Sequence, residues 1–83
     1  MTMTKQEIRE KVNDLVIDKL GVKAEEVLEE SNLETDLGAD SLDVMEIVID
    51  AEKAFDVFIS EEETEGIRTM GDIYQLVEEK VKK

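Results

Sequence analysis

Asp40-Ser41-Leu42-Asp43-Val44-Met45-Glu46-Ile47-Val48-Ile49-Asp50-Ala51-Glu52-Lys53-Ala54-Phe55 is the stretch that decides the fold. Asp40 has the short acceptor side chain favoured at a helix N-cap. Asp43, three residues on, completes a capping-box pattern, so a helix is expected to start at Ser41 and run to about Phe55. At roughly 100° per residue, Val44, Ile47, Val48, Ala51 and Phe55 fall on one broad arc, the expected core face. Leu42, Met45 and Ile49 fall on a second apolar arc, well away from the first. Asp43, Glu46 and Asp50 lie between the two arcs, and Glu52 borders the far side of the second. A helix with one buried face needs only one apolar arc. The second arc either packs on another helix or forms a docking patch, and the acids on both flanks favour docking.

Working outward, the other segments that read as structured are also helical. Thr4 and Glu7 form a capping box, Ile8, Val12, Leu15, Val16 and Leu20 recur at helical spacing, and Gly21 supplies the stop. Val22 to Leu37 reads as a long loop with buried anchors at Val22, Val27, Leu28, Leu33 and Leu37; loops of that length are often functional or locally structured. Ser60 and Glu63 repeat the capping pattern ahead of a short helix from Glu61 to Glu65, which Gly66 ends. The last helix follows Thr69, with Asp72 at its third position and a buried stripe of Ile73, Leu76, Val77 and Val81. Lys80, Lys82 and Lys83 suit its C-terminal end. Only Val57-Phe58-Ile59 has any claim to local extension. The expected fold is all-α: a small bundle of three main helices plus one short helix, with a long loop after the first, in one domain spanning residues 1–83.

Composition narrows the function. The 83 residues contain no cysteine and no histidine, which excludes a disulfide framework, a thiolate metal site and a cysteine nucleophile. No metal ligand set is expected, and no twelve-residue calcium loop is present. The net charge is −13, from 23 acidic and 10 basic residues. Nucleic-acid phosphates and anionic membrane surfaces would repel it, so partners with basic docking surfaces are expected. Between Glu25 and Glu65 the only basic residue is Lys53, which points to the middle of the chain as the interaction surface. The amino terminus lacks the apolar run of a signal peptide and no membrane-spanning stretch is read, so a cytoplasmic location is expected; the chain is also expected to be a monomer.

Ser41, set after an aspartate at a helix start, is the candidate for covalent chemistry, and the chain does not equip it as a nucleophile. A catalytic serine needs a base within hydrogen-bond reach. Lys53 is the only nearby candidate, and on one helix it would stand roughly 18 Å away along the axis. No Gly-x-Ser-x-Gly elbow surrounds the serine. Ser41 is therefore either part of the helix cap or a handle that another enzyme modifies. A helix start suits a phosphate-linked group, because its free N–H groups and dipole accept negative charge.

Asp36-Leu37-Gly38-Ala39-Asp40-Ser41-Leu42-Asp43, followed by Glu46 and an apolar helix, resembles the acyl carrier proteins of type II fatty-acid synthesis. Leu20-Gly21-Val22, Glu25-Glu26-Val27, Phe55-Asp56 and Glu61-Glu62-Glu63 extend the resemblance over nearly the whole chain. The resemblance implies that Ser41 carries 4′-phosphopantetheine, attached from coenzyme A by a separate phosphopantetheinyl transferase. The arm's thiol would then hold acyl groups as thioesters, and the chain itself would be no enzyme. Asp40, Leu42, Asp43, Met45, Glu46, Ile49, Glu52 and Ile59 would serve partner binding, towards fatty-acid-synthesis enzymes and acyltransferases with basic patches. Val44, Ile47, Ala51, Phe55 and Ile67 would line the interior that shelters the acyl chain. Lys53, Asp50, Phe58, Ser60 and Gly66 depart from the family's usual pattern without touching the attachment motif. A carrier for amino acids, D-alanine or polyketide units is the alternative, and an unmodified acidic adaptor a more distant one.

Overall fold

The computed structural model describes residues 3–81, so Lys82 and Lys83, expected at the end of the last helix, lie outside the described residues. Among the described residues four α-helices follow one another: α1 (Lys5–Leu20), α2 (Ser41–Phe55), α3 (Glu61–Glu65) and α4 (Met70–Val81). A single 3₁₀ turn at Ala24–Glu26 interrupts the long loop.

Each helix begins where a short polar side chain can satisfy the free N–H groups of the first turn. At α1, Thr4 Oγ1 accepts from the Glu7 N–H at 3.1 Å, and Glu7 returns the bond to the Thr4 N–H at 2.8 Å. At α3, Ser60 Oγ and Glu63 do the same at 3.2 and 2.9 Å. At α4, Thr69 Oγ1 accepts from the Asp72 N–H at 3.3 Å, and the Asp72 carboxylate accepts from the Thr69 and Arg68 N–H groups just ahead of the helix, at 3.0 and 2.9 Å. Gly21 ends α1 at φ 69°, a left-handed conformation that costs glycine little, and donates to the Ile17 carbonyl at 2.8 Å. Asp56 ends α2 in the same region, at φ 55°. Aspartate is among the few non-glycine residues that tolerate it.

α1, α2 and α4 pack around one core. Ile8, Val12 and Val16 come from α1, Val44, Ile47, Val48 and Ala51 from α2, and Ile73 and Val77 from α4. Fully burying such a side chain contributes roughly 1.5–3 kcal/mol. Met70 and Tyr74 join the α4 stripe as buried residues beyond those expected, while Leu76 and Val81 are half-buried at its edge. The Tyr74 hydroxyl donates to Asn13 Oδ1 on α1, and the Arg9 guanidinium sits 5.0 Å over the Tyr74 ring.

The loop between α1 and α2 is locally structured. Val27, Leu33 and Leu37 are buried as expected and Val22 is half-buried. Leu28 corrects the expectation: it is 51% exposed. The turn that follows it is closed from inside by the buried Ser31, whose hydroxyl accepts from the Leu28 N–H and donates to the Glu26 carbonyl, both at 2.9 Å. The loop's far end joins the entry to α4 through an isolated antiparallel bridge, Asn32 to Thr69. Flanking bonds run from Leu33 N–H to Arg68 O, from Met70 N–H to Ser31 O and from Gly71 N–H to Glu29 O. Val57-Phe58-Ile59 forms no strand; Phe58 points outward and Ile59 inward.

Candidate functional site

The head of α2 displays Ser41. Asp40 Oδ1 takes the Asp43 N–H at 2.9 Å and the Asp43 carboxylate takes the Asp40 N–H at 3.2 Å. The two aspartates thus complete the cap between themselves, and Ser41, the first helical residue, is exposed. The reading of Ser41 as part of the cap therefore fails on geometry. Lys53 shares the same unbroken helix, so the separation of roughly 18 Å along the axis stands and no base reaches Ser41 from there. Upstream, Gly38 at φ 78° turns the chain so that the Ala39 N–H reaches the Leu33 carbonyl at 2.8 Å. That turn buries Ala39 and presents the next residues outward.

Beside Ser41 opens a cavity of about 500 Å³. Leu33, Val44, Val48, Ile59 and Ile67 form its apolar wall, with Met45 and Ile49 at the rim. Glu34, Glu52, Glu61, Glu65 and Arg68 supply charged lining, and Ser41 itself belongs to it. A volume of this size is typical of a small-molecule pocket.

Of the five positions expected to shelter an acyl chain, Val44 and Ile67 line this cavity and Ile47, Ala51 and Phe55 do not. Ile47 and Ala51 are spent on the helix–helix core, each 1% exposed. Phe55 is half-buried with the Lys11 ammonium of α1 6.0 Å from its ring centre. The wheel groups the four on α2 by facing inward, but the inward face of α2 serves two neighbours. Leu33, Val48 and Thr64 were missing from the expected lining. Leu33 and Val48 do carry a sequence signal, as a buried anchor and a core-arc residue. Thr64 carries none.

The expected docking residues also separate. Leu42, Met45 and Ile49 are 68, 50 and 43% exposed, so among the described residues no helix covers the second arc. Glu46 and Asp50 both face Lys19 of α1, each 3.5 Å from its ammonium nitrogen. Asp50 above all, against a smaller opposing effect of burial and with help from Glu46, raises Lys19 above its ordinary 10.5. Glu52 Oε2 accepts from the Ile59 N–H at 2.8 Å. Ile59, expected at a partner contact, is buried in the cavity wall, because the linker turns it inward while Phe58 points out.

Residues 10–77 match the family described as Phosphopantetheine attachment site. The acyl carrier protein of Enterococcus faecalis superposes with a TM-score of 0.79 at 33% identity, over 94% of this chain and 99% of that one. The chain belongs to the acyl carrier protein family. The acyl carrier protein of Thermotoga maritima is similar too, with a TM-score of 0.81 at 31% identity over 94% of this chain and 91% of that one. The helical bundle expected for an acyl carrier protein is thus the fold of this chain, and the family implies phosphopantetheine as the group it carries.

Proposed function

We propose that Ser41 is the attachment point for 4′-phosphopantetheine and that the chain shuttles acyl intermediates between the enzymes of fatty-acid synthesis, without catalysing a step itself. The observation that carries this reading is the exposed Ser41 at the mouth of an apolar cavity, with the helix cap made by its neighbours.

The residues present fit the group. A phosphodiester on Ser41 Oγ would stand at the positive end of α2, where the dipole and the remaining free N–H groups favour an anion. Bound there, the arm supplies a thiol that holds acyl groups as thioesters. Everything else falls to the chain. Leu33, Val44, Val48, Ile59 and Ile67 give an apolar guest a place out of water. The exposed Leu42, Met45 and Ile49 offer a partner an apolar seat, and the acid-rich surface draws partners with basic patches before contact. The acidity of α2 favours fatty-acid enzymes over carriers of amino acids or polyketide units.

The test is incubation with coenzyme A and a phosphopantetheinyl transferase of broad specificity. Intact mass should rise by one phosphopantetheinyl group in the wild type and not at all in Ser41→Ala. An unmodified wild type would remove the basis of the reading. Mass spectrometry of the protein from its native cells should then find a fatty acyl thioester, whereas an aminoacyl load would transfer the chain to another pathway.

A further inference from the structure

We propose that Glu52 is a positioning residue of the cavity: its carboxylate holds Ile59, and with it the linker into α3, as the outer wall of the compartment. This deepens the reading above, in which the cavity shelters cargo.

The wall on that side has little else to hold it. α3 is five residues long and contributes no buried side chain. It is suspended between two buried anchors, Ile59 before it and Ile67 after it. The Glu63–Lys80 ion pair at 2.9 Å ties its outer face to α4. The stretch 57–60 that leads into it is neither helix nor strand. Glu52 grips this stretch twice. Its backbone carbonyl accepts from the Val57 N–H at 3.1 Å, and its side chain reaches seven residues ahead to the Ile59 N–H at 2.8 Å. The second bond is charge-assisted, hence stronger than a neutral amide pair. Without it the part-buried Ile59 N–H would lose its one acceptor, and an unpaired donor shielded from water is expensive.

Position singles Glu52 out among the acids of α2. Asp43 is used by the cap, and Glu46 and Asp50 face Lys19. Glu52 lines the cavity and borders the exposed arc of Met45 and Ile49. The acid that a sequence reading assigns to partner recognition is therefore also the one that fixes the cavity wall.

Amide hydrogen exchange on the unmodified chain tests this without any arm attached. Glu52→Ala and Glu52→Asp should speed exchange at the Ile59 N–H by about tenfold or more, leaving the Val77 N–H of α4 as the internal reference unchanged. Glu52→Asp keeps the charge and loses the reach. Glu52→Gln keeps the reach and loses the charge, and should stay within about threefold of wild type. If the alanine variant does not fold, the aspartate and glutamine variants decide. Unchanged Ile59 exchange in Glu52→Asp, or a Glu52→Gln variant as fast as it, overturns the proposal. With an octanoyl group on the arm, hydroxylamine should cleave the thioester faster in Glu52→Asp than in wild type. Failure to load the arm counts against Ser41 as the attachment point and leaves the exchange result standing.

Discussion

Asp40 and Ser41 are adjacent, and they do different physical jobs. Replacing Asp40 with alanine removes an acceptor from the first turn of α2 and should cost about 1 kcal/mol in denaturant unfolding. Ser41→Ala should cost under about 0.5 kcal/mol, since an exposed side chain outside the cap is removed. Equal losses would mean that the serine shares the cap after all. Met45 is half-exposed, so Met45→Ala should cost less than about 1 kcal/mol, well short of the roughly 2–5 kcal/mol of a buried methionine. The same variant should weaken binding to a partner enzyme, measured by titration calorimetry. Tyr74 is the chain's single tyrosine, so its ionisation can be followed by ultraviolet absorbance. Burial raises its pKa above the ordinary 10.0, against the lowering influence of the Asn13 bond and Arg9. Its folded value lies above the unfolded one. Its contribution to stability is thus complete below pH 10.0 and is lost as pH rises through the folded value. Absorbance should show the phenol ionising late, together with unfolding.

At the scale of elements, the helices were legible because their ends are written in local chemistry. Thr4 with Glu7, Asp40 with Asp43 and Ser60 with Glu63 each form the reciprocal cap that their spacing announces. The Asn32–Thr69 bridge was not legible, since nothing local marks two residues that pair across most of the fold. Leu28 misled because apolarity alone does not say which side of a turn a residue occupies. The cavity was half legible: Val44 and Ile67 were expected in its wall, whereas Leu33 from the loop and Ile59 from the linker are brought there only by tertiary structure. The start of α4 gives a pH prediction. Burial pushes Asp72 up, but the N–H groups of Thr69 and Arg68, the Thr69 side chain and the Arg68 charge together hold it below 3.8. Its folded value is the lower one, so its contribution is present above pH 3.8 and is lost as pH falls through the folded value. Asp72→Asn should flatten the acid limb of the stability curve, read by circular dichroism against pH.

At the scale of the whole molecule, charge dominates. With a net charge of −13 the compact state works against its own repulsion. The Lys19 and Lys80 ion pairs are surface features and offset little of it. Added salt should therefore raise the melting temperature, whereas loss of stabilising ion pairs would lower it. Association with a basic partner should slow in the same series, because screening removes the long-range attraction. Among the described residues no helix is long and apolar enough to cross a membrane.

The bridge between Asn32 and Thr69 has a consequence in chain entropy. The loop after α1 makes local turns of its own, but its far end is fixed by backbone donors and acceptors around the entry to α4. Joining them closes a long segment of chain, and that entropic cost is recovered only when α4 has docked. Residues 29–33 are therefore expected to gain hydrogen-exchange protection only together with α4. A chain cut before Thr69 would lose more than its final helix: residues 29–32 would lose the Thr69 bridge and the Met70 and Gly71 donors that they close against.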